Sequence, residues 1–133
     1  MTIWTIKIEC VFGWYLEEPV TKLCEVASTF TLEELYDFIL DSFNFDNDHM
    51  HEFFISRTIR NNNRTIEDES IALEDIFPIE KNHYLFMTFD FGDDWKFKIT
   101  RSRKEAQFDD KVLYPRVIEQ IGKNPEQYPM YEG

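Results

Sequence analysis

The chain has 133 residues, 43% of them apolar and 17% aromatic, enough to bury a core without disulfides or metal staples and too hydrophobic for a disordered tail. Its formal charge is −12, from 26 acidic and 14 basic side chains, which argues against a non-specific nucleic-acid surface, because such surfaces neutralise phosphates with Lys and Arg. No stretch approaches the ~20 apolar residues of a membrane span, and the alternating start MTIWTIKIEC lacks the apolar run of a signal peptide, so the reading is a single cytoplasmic domain over residues 1–133.

Residues 3–14 alternate, with Trp4, Ile6, Ile8, Cys10 and Phe12 on one face, the pattern of a half-buried strand. Tyr15–Pro19 makes a turn and Val20–Thr29 the return strand. Cys10 and Cys24 would face each other in a hairpin centred on Glu17, but reduced, buried thiols are the expectation for a cytosolic protein. Thr31 and Glu34 spell a capping box, flanked by Phe30 and Leu35 as a hydrophobic staple. The helix that follows lines up Leu32, Leu35, Tyr36, Ile39 and Phe43 in one stripe, and Asn44–Asp48 ends it. His51–Ile59 returns to strand composition. The asparagines within Arg60–Arg64 mark a turn or exposed loop, and Ser70–Phe77 a short helical turn stopped before Pro78.

Tyr84–Ile99 is the most strongly patterned stretch, two alternating arms joined at Gly92-Asp93-Asp94. Leu85, Met87, Phe89 and Phe91 share a face on the first arm; Trp95, Phe97 and Ile99 share one on the second. The faces meet only if paired residue numbers sum to an even value. The predicted register sets Phe91 opposite Trp95, Phe89 opposite Phe97 and Asp90 opposite Lys96, around a loop of odd length. The second arm runs on to Arg103. Val112–Ile121 then shows helical spacing with Pro115 in its first turn, and Gly122–Pro125 stops it. The order ββαβ(α)ββα predicts an α+β fold of two layers, a mixed β-sheet with one main helix packed on one face, β-grasp-like in arrangement.

Two clusters carry candidate chemistry. Asp90, Asp93 and Asp94 are the densest carboxylates near a turn and would suit a hard cation, although Asp is also a good turn residue and Lys96 lies across the ladder from Asp90. Asp46, Asp48, His49 and His51 form the second; on a strand the two histidines point the same way, a spacing that chelates transition metals. Asp90, Asp93, Asp94, His49 and His51 are therefore the candidate metal ligands. His83 sits in a solvated Lys-Asn-His turn. The letters Asp90-Phe91-Gly92 match the magnesium triplet of protein kinases, but the chain has four glycines in all and no glycine-rich loop. There is no G-x-S-x-G elbow, no phosphate loop and no cysteine beside a histidine in sequence. The reading leans away from an enzyme, with no catalytic residue and no cofactor.

The string F-D-F-G-D-D-W-K-F-K-I at 89–99 resembles the Y-D-F-G-D-x-W-x-H-x-I motif of the plasmid pRiA4b ORF-3-like family. Tyr114-Pro115-Arg116-Val117 and Gly122–Tyr128 are similar to that family's Y-P-R and P-P-E-D regions in relaxed form, and the opening hairpin and T-L-E-E-L helix start to its N-terminal half. The resemblance implies a compact α+β domain of bacteria or archaea, in part associated with plasmids or mobile elements, and brings no activity with it. Phe97 replaces the motif's histidine and Asn124–Gln127 the P-P-E-D run, which counts against an enzymatic role. Asp90, Asp93 and Trp95 match, so Asp90, Gly92, Asp93, Asp94 and Trp95 are the candidate binding residues. The function expected is a non-enzymatic interaction or ligand-binding module with a protein partner, binding neither nucleic acid nor membrane. The alternatives are a metal-assisted hydrolase or nuclease using Asp90, Asp93 and Asp94, and an acidic mimic of nucleic acid.

Overall fold

Strand alternation written into both ends of the chain dominates its architecture. A computed structural model describes residues 1–60 and 64–129. In chain order the elements are β1 (Thr2–Phe12), β2 (Val20–Ala27), α1 (Leu32–Phe43), β3 (His51–Ser56), β4 (Arg64–Ile66), α2 (Leu73–Ile76), β5 (Tyr84–Phe89), β6 (Trp95–Gln107) and β7 (Arg116–Ile121). The seven strands form one sheet in the order β4-β3-β5-β6-β1-β2-β7, and every neighbouring pair is antiparallel. Only 13% of the described residues are helical. The expected two-layer α+β fold, mixed sheet and β-grasp-like arrangement are therefore corrected to a mostly β protein. Among the described residues, no helix is long and apolar enough to cross a membrane.

Much of the difference lies in residues 112–121. The apolar positions Val112, Val117, Ile118 and Ile121 have helical spacing, yet residues 116–121 are a strand paired with β2. All six are exposed, so no buried face imprints a period on this segment. What decides its conformation is the open edge of β2, whose backbone groups take hydrogen bonds from a segment some ninety positions on. A long-range partner overrides a local pattern.

The core lies on the face carrying Ile6, Ile8 and Cys10 of β1, Cys24 and Val26 of β2, and Trp95, Phe97 and Ile99 of β6, all fully buried. Leu32, Leu35, Ile39 and Phe43 of α1 join the same cluster. Each such large side chain contributes roughly 1.5–3 kcal/mol over its exposed state. The start of α1 follows the sequence closely. Thr31 Oγ1 accepts the Glu34 amide, and the Glu34 carboxylate accepts the Thr31 amide. Asn44 closes the helix in the left-handed region. The last turn of α1 contains no basic residue, and β2 supplies one. Buried Lys22 donates to the Ser42 carbonyl and lies 4.3 Å over the Phe43 ring, a cation at the negative end of the helix dipole.

Two hairpin registers differ from expectation. In the first, Ile6 pairs with Cys24 and Cys10 with Val20, so the turn is centred two residues earlier than Glu17 and the cysteines do not face each other; both are free and buried. In the β5–β6 hairpin the apolar faces do meet, but Phe89 lies opposite Trp95 and Met87 opposite Phe97. Strand β5 stops one turn of the pleat early and the loop spans residues 90–94. Phe91, expected in the core, is 52% exposed. β4 was not anticipated, β6 runs past Arg103 to Gln107, and the asparagines 61–63 lie outside the described residues.

Candidate functional site

The loop at 90–94 is built by aspartates rather than by its glycine. Asp90 has φ 61° and Asp94 φ 55°, a left-handed region that Asp and Asn tolerate better than other side chains. Asp90 Oδ1 accepts the amides of Gly92 at 3.1 Å and Asp93 at 3.2 Å, an Asx turn. The Asp94 amide donates to the Asp90 carbonyl at 2.6 Å, and the Asp90 amide to the Met50 carbonyl at 2.9 Å. This folding of the loop on its own carboxylate ends β5 and expels Phe91. Only 5% of Asp90 is exposed, so it serves the turn before any ligand.

Asp94 takes the role expected of Asp90: its carboxylate pairs with Lys96 at 2.6 Å, and Lys96 also donates to Thr88. Trp95 is fully buried, edge-on to Phe45 at 4.8 Å, and its indole N–H has no partner among the described residues. A Cβ on Gly13 would stand 2.4 Å from the Trp95 ring, so glycine there is a packing requirement. Phe97, where the motif resemblance expects histidine, packs 5.0 Å from Phe43 in the core.

The two clusters read separately in the sequence partly merge. His49 Nε2 lies 3.4 Å from Asp90 Oδ2 and 3.8 Å from Asp48 Oδ1. Asp93 hydrogen-bonds the Asp90 carboxylate, and burial, then the Asp90 charge, raise its pKa. His51 leaves the group; it pairs with Glu69 at 2.6 Å and stacks on Tyr36 at 3.7 Å. Asp90, Asp93 and His49 thus converge, whereas Asp94 and His51 are held elsewhere. Among the described residues, no group of three His, Cys, Asp or Glu side chains is arranged to hold a metal ion.

The C-terminal segment completes the region. Gln127 is buried; its side-chain carbonyl accepts the Asp46 amide at 2.6 Å, and its NH2 donates to the Asp46 carbonyl at 3.1 Å and to Asp48 at 3.3 Å. Tyr128 donates to Asp48 Oδ2 at 2.9 Å, and burial followed by that bond raises its pKa. A cleft of about 510 Å³ adjoins, lined by residues 14–18 on one side and Lys123, Asn124, Pro125, Glu126 and Pro129 on the other. Trp14, 70% exposed, stands at its edge with its amide on the Asp93 carbonyl. Sequence reasoning missed Trp14, Glu17, Glu18, Glu126, Gln127 and Tyr128. The signals available were Trp14, a large aromatic just past the alternating run of β1, and the resemblance of Gly122–Tyr128 to the family's P-P-E-D region.

A sequence model of the plasmid pRiA4b ORF-3-like protein family matches residues 7–127. The chain belongs to this family. The match takes in the second half of β1, all of β2 and the Asp90 turn, and ends on the Gln127 anchor. Among solved structures, a protein of unknown function from Methanosarcina mazei Go1, MM3350, shares the fold at TM-score 0.70 and 21% identity, over 90% of this chain and 69% of that one. No curated protein matches.

Proposed function

We propose that this member of the plasmid pRiA4b ORF-3-like family is a non-enzymatic binding module that receives a cationic segment of a partner protein in the cleft beside the Asp90 turn. One observation carries the reading: the cleft joins a largely exposed Trp14 to three exposed carboxylates, Glu17, Glu18 and Glu126, against a single lysine. Arg and Lys are attracted to an indole face and to carboxylates alike. The neighbouring Asp48, Asp90 and Asp93 add negative potential, which steers a basic partner toward this end of the molecule. Metal-assisted hydrolysis gains no support, since Asp94 is committed to Lys96.

Trp14 is the exposed one of the three tryptophans, Trp4 and Trp95 being buried, so its fluorescence reports on the cleft. An arginine-rich peptide is expected to quench it saturably at low ionic strength and to lose most of its affinity in 0.5 M salt. Trp14→Ala, followed by an extrinsic label, and the pair Glu17→Gln/Glu18→Gln are each expected to weaken binding roughly 5- to 30-fold, about 1–2 kcal/mol. Binding indifferent to both variants would refute this assignment of the cleft.

A further inference from the structure

The ladder between β1 and β6 breaks near its Trp4 end. Trp4 pairs with Glu105 and Ile6 with Arg101, so Thr5 alone stands opposite Ser102, Arg103 and Lys104. Two residues more than the ladder needs are thus pushed out of β6 as a bulge, a device that re-aims side chains. The bulge is a built feature. Its base is closed by the Arg101–Glu105 ion pair, and the Arg101 guanidinium is seated 3.8 Å from the centre of the Trp4 ring. Within it, the Lys104 amide donates to Ser102 Oγ at 3.2 Å. What it presents is Arg103 and Lys104, both exposed and with no ion pair or ring contact among the described residues.

The chain itself carries the complement. Glu17, Glu18 and Glu126 of the Trp14 cleft are exposed and likewise have no ion pair among the described residues. Thr5, opposite the bulge, and Phe12, at the end of β1 next to the cleft, are separated by roughly 23 Å of strand. That span exceeds the reach of an arginine side chain, so one chain cannot seat its own bulge in its own cleft. A second copy can. The net −12 of each copy opposes association, but in 0.1 M salt exposed charges more than ~10 Å apart are largely screened. The short-range pairing of two cations with three carboxylates then decides.

We propose that the cationic segment received by the Trp14 cleft is the 102–104 bulge of a second copy of this chain, with Arg103 on the indole face and Lys104 toward the carboxylates. A guanidinium stacks on an aromatic face, whereas an ammonium acts as a compact point charge, which matches each cation to its place. A bulge already fixed by its own contacts loses little freedom on docking, which lowers the cost of binding. This inference rests on the reading of the cleft given above and names its partner.

The test is sedimentation velocity on the whole chain in 0.1 M salt at protein concentrations up to 1 mM. The average mass is expected to rise with concentration above that of one chain. Arg103→Glu/Lys104→Glu and Glu17→Lys/Glu18→Lys, all four at exposed positions, are each expected to weaken self-association at least tenfold without changing the melting temperature of the dilute protein. Mixed one to one, the two variants should regain it, because acid then meets base at the native contact and at its charge-reversed counterpart. A parent that stays a single chain at 1 mM, association indifferent to either variant, or mixed variants that stay apart would each overturn the proposal. An arginine-rich peptide added to the same samples separates the two readings. Quenching of Trp14 in a parent that does not self-associate sinks the second copy alone; no quenching sinks the cleft reading with it. In the first case, shifts of the 101–105 amides by a glutamate-rich peptide would assign the bulge to a different acidic protein in place of a second copy.

Discussion

Asp90 shows how one side chain sets a local fold. Its carboxylate satisfies two loop amides and faces His49, and its backbone sits where most L-residues are strained. Asparagine keeps the acceptor oxygen and the tolerance of positive φ; alanine keeps neither. Asp90→Asn is accordingly expected to stay within about 1 kcal/mol of the parent, and Asp90→Ala to lose about 3–4 kcal/mol, from two hydrogen bonds near 1 kcal/mol each and a left-handed penalty of about 1–2 kcal/mol. Urea unfolding with an unchanged slope measures both. Equal stabilities would mean that the carboxylate does not hold the turn. The same residue marks where the sequence stops being readable. The parity of the apolar side chains dictated that the two faces meet, and they do. Where along the ladder they meet depended on a side-chain-to-backbone turn that alternation does not encode.

At the scale of elements, legibility followed the range of the deciding interaction. The β1 alternation, the Thr31–Glu34 box and the α1 stripe are settled within a few residues, and each stands where the sequence put it. β7 and the convergence of His49 with Asp90 and of Asp48 with Tyr128 depend on segments about forty to a hundred residues apart, and no local pattern announces them. β7 also differs in what holds it: all six residues are exposed, and its Arg116–Glu25 ion pair at 2.7 Å is a surface pair, worth about 0–1 kcal/mol. Hydrogen exchange is therefore expected to release β7 amides at least a hundredfold faster than those of central β1, through an opening that leaves the rest of the sheet closed. Exchange of β7 in step with β1 would contradict this.

For the whole molecule, the buried thiols govern stability in alkali. Burial lifts Cys10 and Cys24 from an ordinary 9.0 to about 12. Between those values the unfolded chain gives up protons that the native state keeps, so their contribution is intact below pH 9 and is lost as pH rises through the window. The slope is at most about 1.4 kcal/mol per pH unit for each thiol. Lys22, lowered by burial, acts in the opposite sense, adding stability as pH rises toward its ordinary 10.5, but it is one group against two. The melting temperature is expected to fall from pH 9 to pH 11, and to fall less in Cys10→Ala/Cys24→Ala. Parallel curves for parent and variant would place the alkaline loss elsewhere.

The position of β1 between β2 and β6 has a consequence in time. On a ribosome, the first hairpin is finished at Ala27, but the strand that closes the other side of β1 is not complete until Gln107. At about 5–20 residues per second this interval lasts roughly 4–16 s. Early in it the nascent hairpin presents Trp4, Ile6, Ile8, Cys24 and Val26 with α1 and β6 both unsynthesised, and β6 is the last part of their cover to be made. This apolar surface is made before the strand that completes its cover, an exposure that lasts seconds in each round of synthesis.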